Sequence, residues 1–259
     1  MDDSVSEKNL LFEVRGLRKE FPGGLIVLDG VDLDIIEGEC LLVAGSNGSG
    51  KTVLMRILAG LLEPSSGTIR FRSETLEKVL KNNIVFRQQL GLVFQDAEAQ
   101  FVGETVAEDA AFGPSNLGLS KTEIEERVTF ALEKMGLQEK RNLSPRRLSG
   151  GEKRRLATAG VLAMGCRAII MDEPFANLDY PGVVQVLEII NNLKQEGTSL
   201  VILTHELEKV LALADRLVIL HRGRIQEDGK PEDVLNRLQP EYGVRDPRLS
   251  WNTQTFTNE

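Results

Sequence analysis

Eight consecutive residues, Gly45, Ser46, Asn47, Gly48, Ser49, Gly50, Lys51 and Thr52, fit the pattern G-x-x-x-x-G-K-S/T. The chemistry open to such a run is the capture of a phosphate chain. Its glycines let backbone N–H groups turn toward the anion, and a helix starting at its end adds a positive dipole. Lys51 offers a point charge to the β- and γ-phosphates, and Thr52 offers a hydroxyl to Mg²⁺. A glycine turn without a ligand is the alternative, but an apolar run before it (40–44) and helical spacing after it (53–62) suit the phosphate loop. A second cluster follows an apolar run, Ala168, Ile169, Ile170 and Met171, which ends in Asp172 and Glu173. Two acids at a strand end can be no more than a solvated loop. Beside a phosphate loop they have work to do: Asp172 holds Mg²⁺ through water, and Glu173 polarises an attacking water. His205 follows a third apolar run, 199–204, at the carboxyl end of a parallel strand, where ligands bind in such sheets. From there it can donate to a γ-phosphate. His221, the other histidine, has no such context and reads as structural.

These groups need a scaffold, and the chain supplies alternating elements. Residues 10–14 and 31–35 alternate apolar and polar positions, as half-buried strands do. Further strands are expected at 68–72 and 90–94. Residues 104–165 read as helical, including an amphipathic helix over 123–135 closed by Gly136. From 168 onward strands (168–171, 199–204, 217–220) alternate with helices (183–195, 207–214), and 224–226 pairs back on its predecessor across Arg222 and Gly223. Such alternation predicts an α/β fold, a parallel sheet with helices on both faces, interrupted by the helical stretch as an inserted subdomain. The domain spans 10–238. Residues 239–259 form a polar tail with the only Trp and the composition of a loosely ordered terminus.

Leu148, Ser149, Gly150, Gly151 and Glu152 resemble the LSGGQ signature that separates ABC ATPases from other phosphate-loop proteins. The order Lys51, Gln95, Ser149, Asp172, Glu173, Asp179, His205 is similar to that family over about residues 10–238. The resemblance implies a P-loop NTPase fold of ABC type: a mixed core sheet flanked by helices, an N-terminal antiparallel β portion and an inserted α-helical subdomain. It implies ATP and Mg²⁺ as cofactors, and a second ABC ATPase copy, identical or related, packed head to tail. Ser149, Gly150 and Gly151 would then cover the γ-phosphate held by the partner's phosphate loop. Gln95 would sense Mg²⁺ and meet a membrane subunit, Ala176 to Asp179 would form the D-loop, and Phe21 would stack on adenine. Two segments, one from Leu92 through Gln95 and Phe101 to Pro114, the other from Leu148 to Met164, resemble the ATPases of energy-coupling-factor (ECF) importers for cobalt, nickel and B vitamins. That implies a place on the cytoplasmic face of the membrane, beside integral membrane transporter subunits. The chain departs from the pattern at Ser46, where His or Pro is commoner, at Phe21, where Tyr is commoner, and over 73–90, which lacks the usual compact turn.

Composition excludes several classes. The net charge of −8 argues against a nucleic-acid binder, and the short basic clusters Arg146-Arg147 and Lys153-Arg154-Arg155 read as solvated helix faces. No stretch approaches the ~18 apolar residues of a membrane span. The acidic opening Met1, Asp2, Asp3 has no apolar segment behind it, unlike a secretory leader. Cys40 and Cys166 sit in apolar contexts, as buried thiols in a reducing compartment do. Within the resembled family, Lys51 and Ser149 are too close for the long coiled coils of chromosome-organising relatives, and one signature does not make a two-domain translation factor. A regulator that only senses nucleotide would be expected to lose Glu173 or His205. A soluble ABC ATPase, of the kind serving iron–sulfur cluster assembly, is the competing reading.

Overall fold

The computed structural model describes residues 9–81, 83–96, 100–176 and 178–249. The chain opens with a long hairpin, β1 (Leu10–Phe21) and β2 (Leu25–Ile36). These strands outrun the short segments that alternation marks, because the register shifts between Val14 and Leu17 and the period of two is lost there. The wholly buried β3 (Cys40–Ala44) leads to α1 (Lys51–Leu58), and β4 (Ser66–Phe71) and β5 (Glu74–Thr75) follow. Where a compact turn is missing from the sequence, two short helices stand instead, α2 (Leu76–Lys81) and α3 (Asn83–Gln89). They seat Leu76 and Phe86 in the core.

After β6 (Leu90–Val93) come α4 (Val106–Asn116), α5 (Lys121–Lys134) and α6 (Gly150–Met164). Each starts on a hydroxyl that accepts from the third helical N–H: Thr105, Ser120 and Ser149. Thr105 and Ser149 complete capping boxes with Glu108 and Glu152. The chain then alternates through β7 (Ala168–Asp172), α7 (Tyr180–Gln195), β8 (Ser199–Thr204), the short α8 (Leu207–Val210), β9 (Arg216–His221), β10 (Arg224–Gly229) and α9 (Pro231–Asn236).

The strands make two sheets. One is antiparallel, in the order β2-β1-β4-β5. The other runs β10-β9-β3-β8-β7-β6, parallel except that β10 returns antiparallel on β9, pairing Arg224 with His221 and Ile225 with Leu220. Alternate residues of the central strands face different cores. Leu42, Ala44 and Ile202 pack with the helices α4 to α7, and Leu41, Val43 and Leu203 pack with α1 and the antiparallel sheet. Burial on both faces is why β3, β7 and β8 read as continuous apolar runs rather than alternating ones. Register sets Ala44 beside Thr204 and Asp172 beside Leu203, so the segments that leave β3, β7 and β8 emerge at one edge of the sheet.

The polar tail packs further than its composition suggests. Pro240–Tyr242 forms a 3₁₀ turn, the Tyr242 ring lies 5.8 Å from that of His221, and Val244 is buried. Residues 250–259, with the only Trp, lie outside the described residues.

Candidate active site

The phosphate loop leaves β3 and enters α1 where side chains cannot be accommodated. A Cβ on Gly45 would stand 2.2 Å from the Leu220 carbonyl of β9. Gly50 has φ +108, and a Cβ there would meet Leu28 and the Val27 carbonyl of β2 within 3 Å. Glycine at these two positions lets the loop lie against β9 and β2. Ser49 is buried, and its Oγ has no hydrogen-bond partner.

Lys51, 6% exposed, folds its Nζ back onto the loop, donating to the Gly45 carbonyl at 2.6 Å and the Ser46 carbonyl at 3.2 Å. Glu173 Oε1 lies 3.7 Å from the same nitrogen. Burial pushes the Lys51 ammonium below its ordinary pKa, against the opposing pull of Glu173 and Asp172. A cation held this way, on weak neutral acceptors in a desolvated place, is suited to exchange them for phosphate oxygens.

Thr52 donates its hydroxyl to Asp172 Oδ2 at 2.8 Å, joining the start of α1 to the end of β7. The other carboxylate oxygen, Oδ1, is buried without a partner, and burial pushes the Asp172 carboxyl above the usual carboxylate range. A buried carboxylate with one open oxygen beside a hydroxyl is a donor set that fits a hard cation such as Mg²⁺. Thr52, Gln95 and Asp172 together line a cavity of about 770 Å³.

Glu173, one residue on, has φ +48, a conformation costly for a side chain of its type. Its amide donates to the Leu203 carbonyl of β8 at 2.8 Å. Its carboxylate accepts from Thr204 Oγ1 at 3.0 Å on Oε2 and lies 2.9 Å from His205 Nδ1 through Oε1. The strand ends therefore gather Lys51, Thr52, Asp172, Glu173 and His205 into one cluster. Phe21 stands at the hairpin tip opposite Leu25, two residues from the Val27 that touches Gly50. With Leu25 and Ile26 exposed, the tip offers an open apolar platform beside the loop, the kind of surface on which a planar base can rest.

The sequence signature of the ABC transporter family matches residues 28–176. The chain belongs to that family. It is an ABC ATPase, 43% identical over 92% of its length to a Halobacterium salinarum protein named as an ABC transporter ATP-binding protein, all of which it covers. It is 35% identical over 93% of its length to the energy-coupling factor transporter ATP-binding protein EcfA of Methanocaldococcus jannaschii, 87% of which is covered. Among solved structures, cbiO1 of Clostridium perfringens, part of the ABC transporter complex cbiONQ, superposes with a TM-score of 0.80 at 32% identity, over 90% of this chain and 93% of that one.

In this ABC ATPase the signature opens α6. Ser149 and Gly150 are exposed at the N-terminus of α6, and Ser149 meets Glu152 of its own turn. Gly151 faces Leu178: a Cβ there would lie 3.5 Å from that side chain. Asp179 caps α7, accepting from Gly182 N–H at 3.1 Å. Asn177, just before Leu178, lies outside the described residues.

Two participants escaped the sequence reading. Thr204 ends β8 and grips the Glu173 carboxylate. Arg154, read as part of a solvated basic cluster, is 6% exposed, so that reading is corrected. Helical spacing carried the signal, since 154, 157, 158 and 161 share one buried face of α6. Cys40 and Cys166 are buried free thiols, both pushed up to about 12 by burial.

Proposed function

We propose that this chain is the motor subunit of an ECF-type importer for a metal ion or B vitamin, working at the cytoplasmic face of the membrane. The observation that carries the ATPase chemistry is the buried Thr52–Asp172 link with its open Oδ1, set beside Lys51 and Glu173. ATP lies with its phosphates on the loop amides and the start of α1, and its adenine against Phe21. Lys51 leaves the Gly45 and Ser46 carbonyls for the β- and γ-phosphates. Thr52, Asp172 and Gln95 would hold Mg²⁺, which would draw negative charge from the phosphate oxygens. Glu173 orients a water and accepts its proton as the oxygen attacks the γ-phosphorus. The bond from that phosphorus to the bridging β–γ oxygen breaks, leaving ADP and phosphate. Thr204 steadies the Glu173 carboxylate, and His205 donates to a γ-phosphate oxygen. Ser149, Gly150 and Gly151 of a second copy close over the γ-phosphate, with Asp179 at the same junction. The exposure of Ser149, Gly150 and Asp179 in the single chain supports that arrangement.

Transport coupling is read from the groove between the sheet and the helical subdomain. It has a volume of about 220 Å³, and Phe94, Gln100, Val102, Phe112 and Met164 are among its lining residues. Val102 and Phe112 are 59% and 53% exposed, an apolar surface fit for a helix of a membrane subunit. Among the described residues no helix is long and apolar enough to cross a membrane, so attachment runs through that protein partner. Affinity purification from membranes tests the reading. Co-purification of integral membrane subunits is expected. Recovery of a soluble assembly partner instead, or tight binding to protein-free liposomes, overturns it.

A further inference from the structure

One buried cation touches both the catalytic cluster and the helical subdomain. Arg154 sits on the second turn of α6, the helix that Ser149 caps. One amino group, Nη1, donates to the Glu173 carbonyl at 2.5 Å, and the other, Nη2, donates to the Gln95 carbonyl at 2.6 Å. Both acceptors are neutral main-chain oxygens, so the guanidinium does not take up the Glu173 carboxylate, which stays with Thr204 and His205. Burial holds the Arg154 pKa below its ordinary value, opposed by Glu173, Asp172 and Asp96 nearby.

The contact at Glu173 has a mechanical meaning. That residue is held at φ +48, and such a conformation persists only where its surroundings enforce it. Its amide is pinned to Leu203 of β8 and its carbonyl to Arg154 of α6. The peptide carrying the carboxylate is therefore clamped between the sheet and the helical subdomain. The same fork clamps Gln95, the first residue but one after β6 and a neighbour of Asp172 around the cavity. A rigid fork with two donors is what Arg offers and Lys does not.

We propose that Arg154 is a positioning residue that couples the tilt of the helical subdomain to the aim of the Glu173 carboxylate, by holding the Glu173 and Gln95 main chains on one guanidinium. When α6 swings, the fork moves both carbonyls with it. Hydrolytic competence is then tied to the subdomain position in which Ser149 faces the nucleotide of a second copy.

The inference rests on the ATPase reading above for its turnover arm, while a second arm does not. Arg154→Lys and Arg154→Gln are compared with wild type in the full-length protein, assembled with whatever subunits co-purify. Turnover should fall about tenfold or more in both, with KM for ATP and nucleotide affinity within about threefold of wild type, since the phosphate loop is untouched. Loss in the Lys variant, which keeps the charge, assigns the effect to the fork. In a Glu173→Gln background the Arg154→Lys change should cost no further turnover, because the residue acts through Glu173. In the nucleotide-free protein, amide hydrogen exchange should quicken at Glu173 and Ala176 while the middle of α6 keeps its protection. Wild-type turnover in both variants with unchanged exchange overturns the proposal. So does a joint fall of α6 protection and nucleotide affinity, which marks a general packing role. If wild type itself does not hydrolyse ATP, the function reading fails, and the exchange arm still decides the clamp.

Discussion

At the carboxyl edge of the parallel sheet, Lys51, Asp172 and Glu173 are each less than a tenth exposed, and each is already engaged with a neighbour. At the N-terminus of α6, Ser149 and Gly150 are exposed, and Ser149 answers only to the capping geometry of its own helix. The first region is assembled by strand register, which brings β3, β7 and β8 to one edge. The second is a helix start with its own N–H needs met by Ser149 and Glu152, held out toward solvent. On the proposed mechanism, the contrast means that one chain builds the phosphate-holding and water-activating half and presents the other half to a second copy.

The largest effect expected of a single change is at Glu173. Glu173→Gln keeps the shape, the Thr204 contact and ATP binding, and should lower hydrolysis by roughly 10²-fold or more, the usual scale for a general base. Equal rates in mutant and wild type would remove Glu173 from the mechanism. Lys51→Ala attacks the same half at its binding function. Nucleotide affinity, measured by titration of a fluorescent analogue, should fall by about 10- to 100-fold, as expected for losing a charge-assisted contact of 1.5–3 kcal/mol. Unchanged affinity in a folded mutant would refute the site.

Ser149→Ala probes the other half. The single chain should bind nucleotide as before, whereas turnover of the assembled protein should fall by about tenfold, the worth of one lost hydrogen bond to a charged oxygen. A loss of nucleotide affinity in the isolated chain would mean that the two halves meet within one copy. The smallest effect belongs to Glu152, where the family commonly has Gln. Its carboxylate takes the Ser149 N–H at 2.9 Å and pairs with Lys140. Lys140 first, then the Ser149 amide, hold the carboxyl below its ordinary pKa. Its contribution to stability is therefore full above about pH 4.3, the ordinary value for Glu, and is lost as the pH falls through the lower, folded value. Glu152→Gln keeps the cap and should change stability by about 1 kcal/mol or less at neutral pH, with less loss on acidification, as thermal melts would show.

Much of the first region was legible in the sequence. Continuous burial of β3, β7 and β8 demands apolar runs, and the chemistry at their ends demands particular residues, so the pattern and the spacing agree. The missed residues are those whose role depends on a partner far along the chain. Thr204 is one more polar residue at a strand end until β8 lies beside β7. Arg154 reads as surface charge until its helical face is counted against Ala157, Thr158 and Val161. The short helices over 76–89 could not be drawn from the lack of a turn signal, and the bulge between Val14 and Leu17 hid half of each strand in the first hairpin.

The proposed division of the site between copies is tested most directly by mixing two impaired variants. Lys51→Ala and Ser149→Ala, each alone, carry a defect in every site. If Lys51 of one copy works with Ser149 of another, a mixed pair contains one site with both residues intact and one with neither. Mixing the two proteins before assembly should then restore ATP hydrolysis well above either variant alone, as read by steady-state phosphate release. No recovery, in a mixture shown to contain mixed pairs, would contradict a site completed by a second copy.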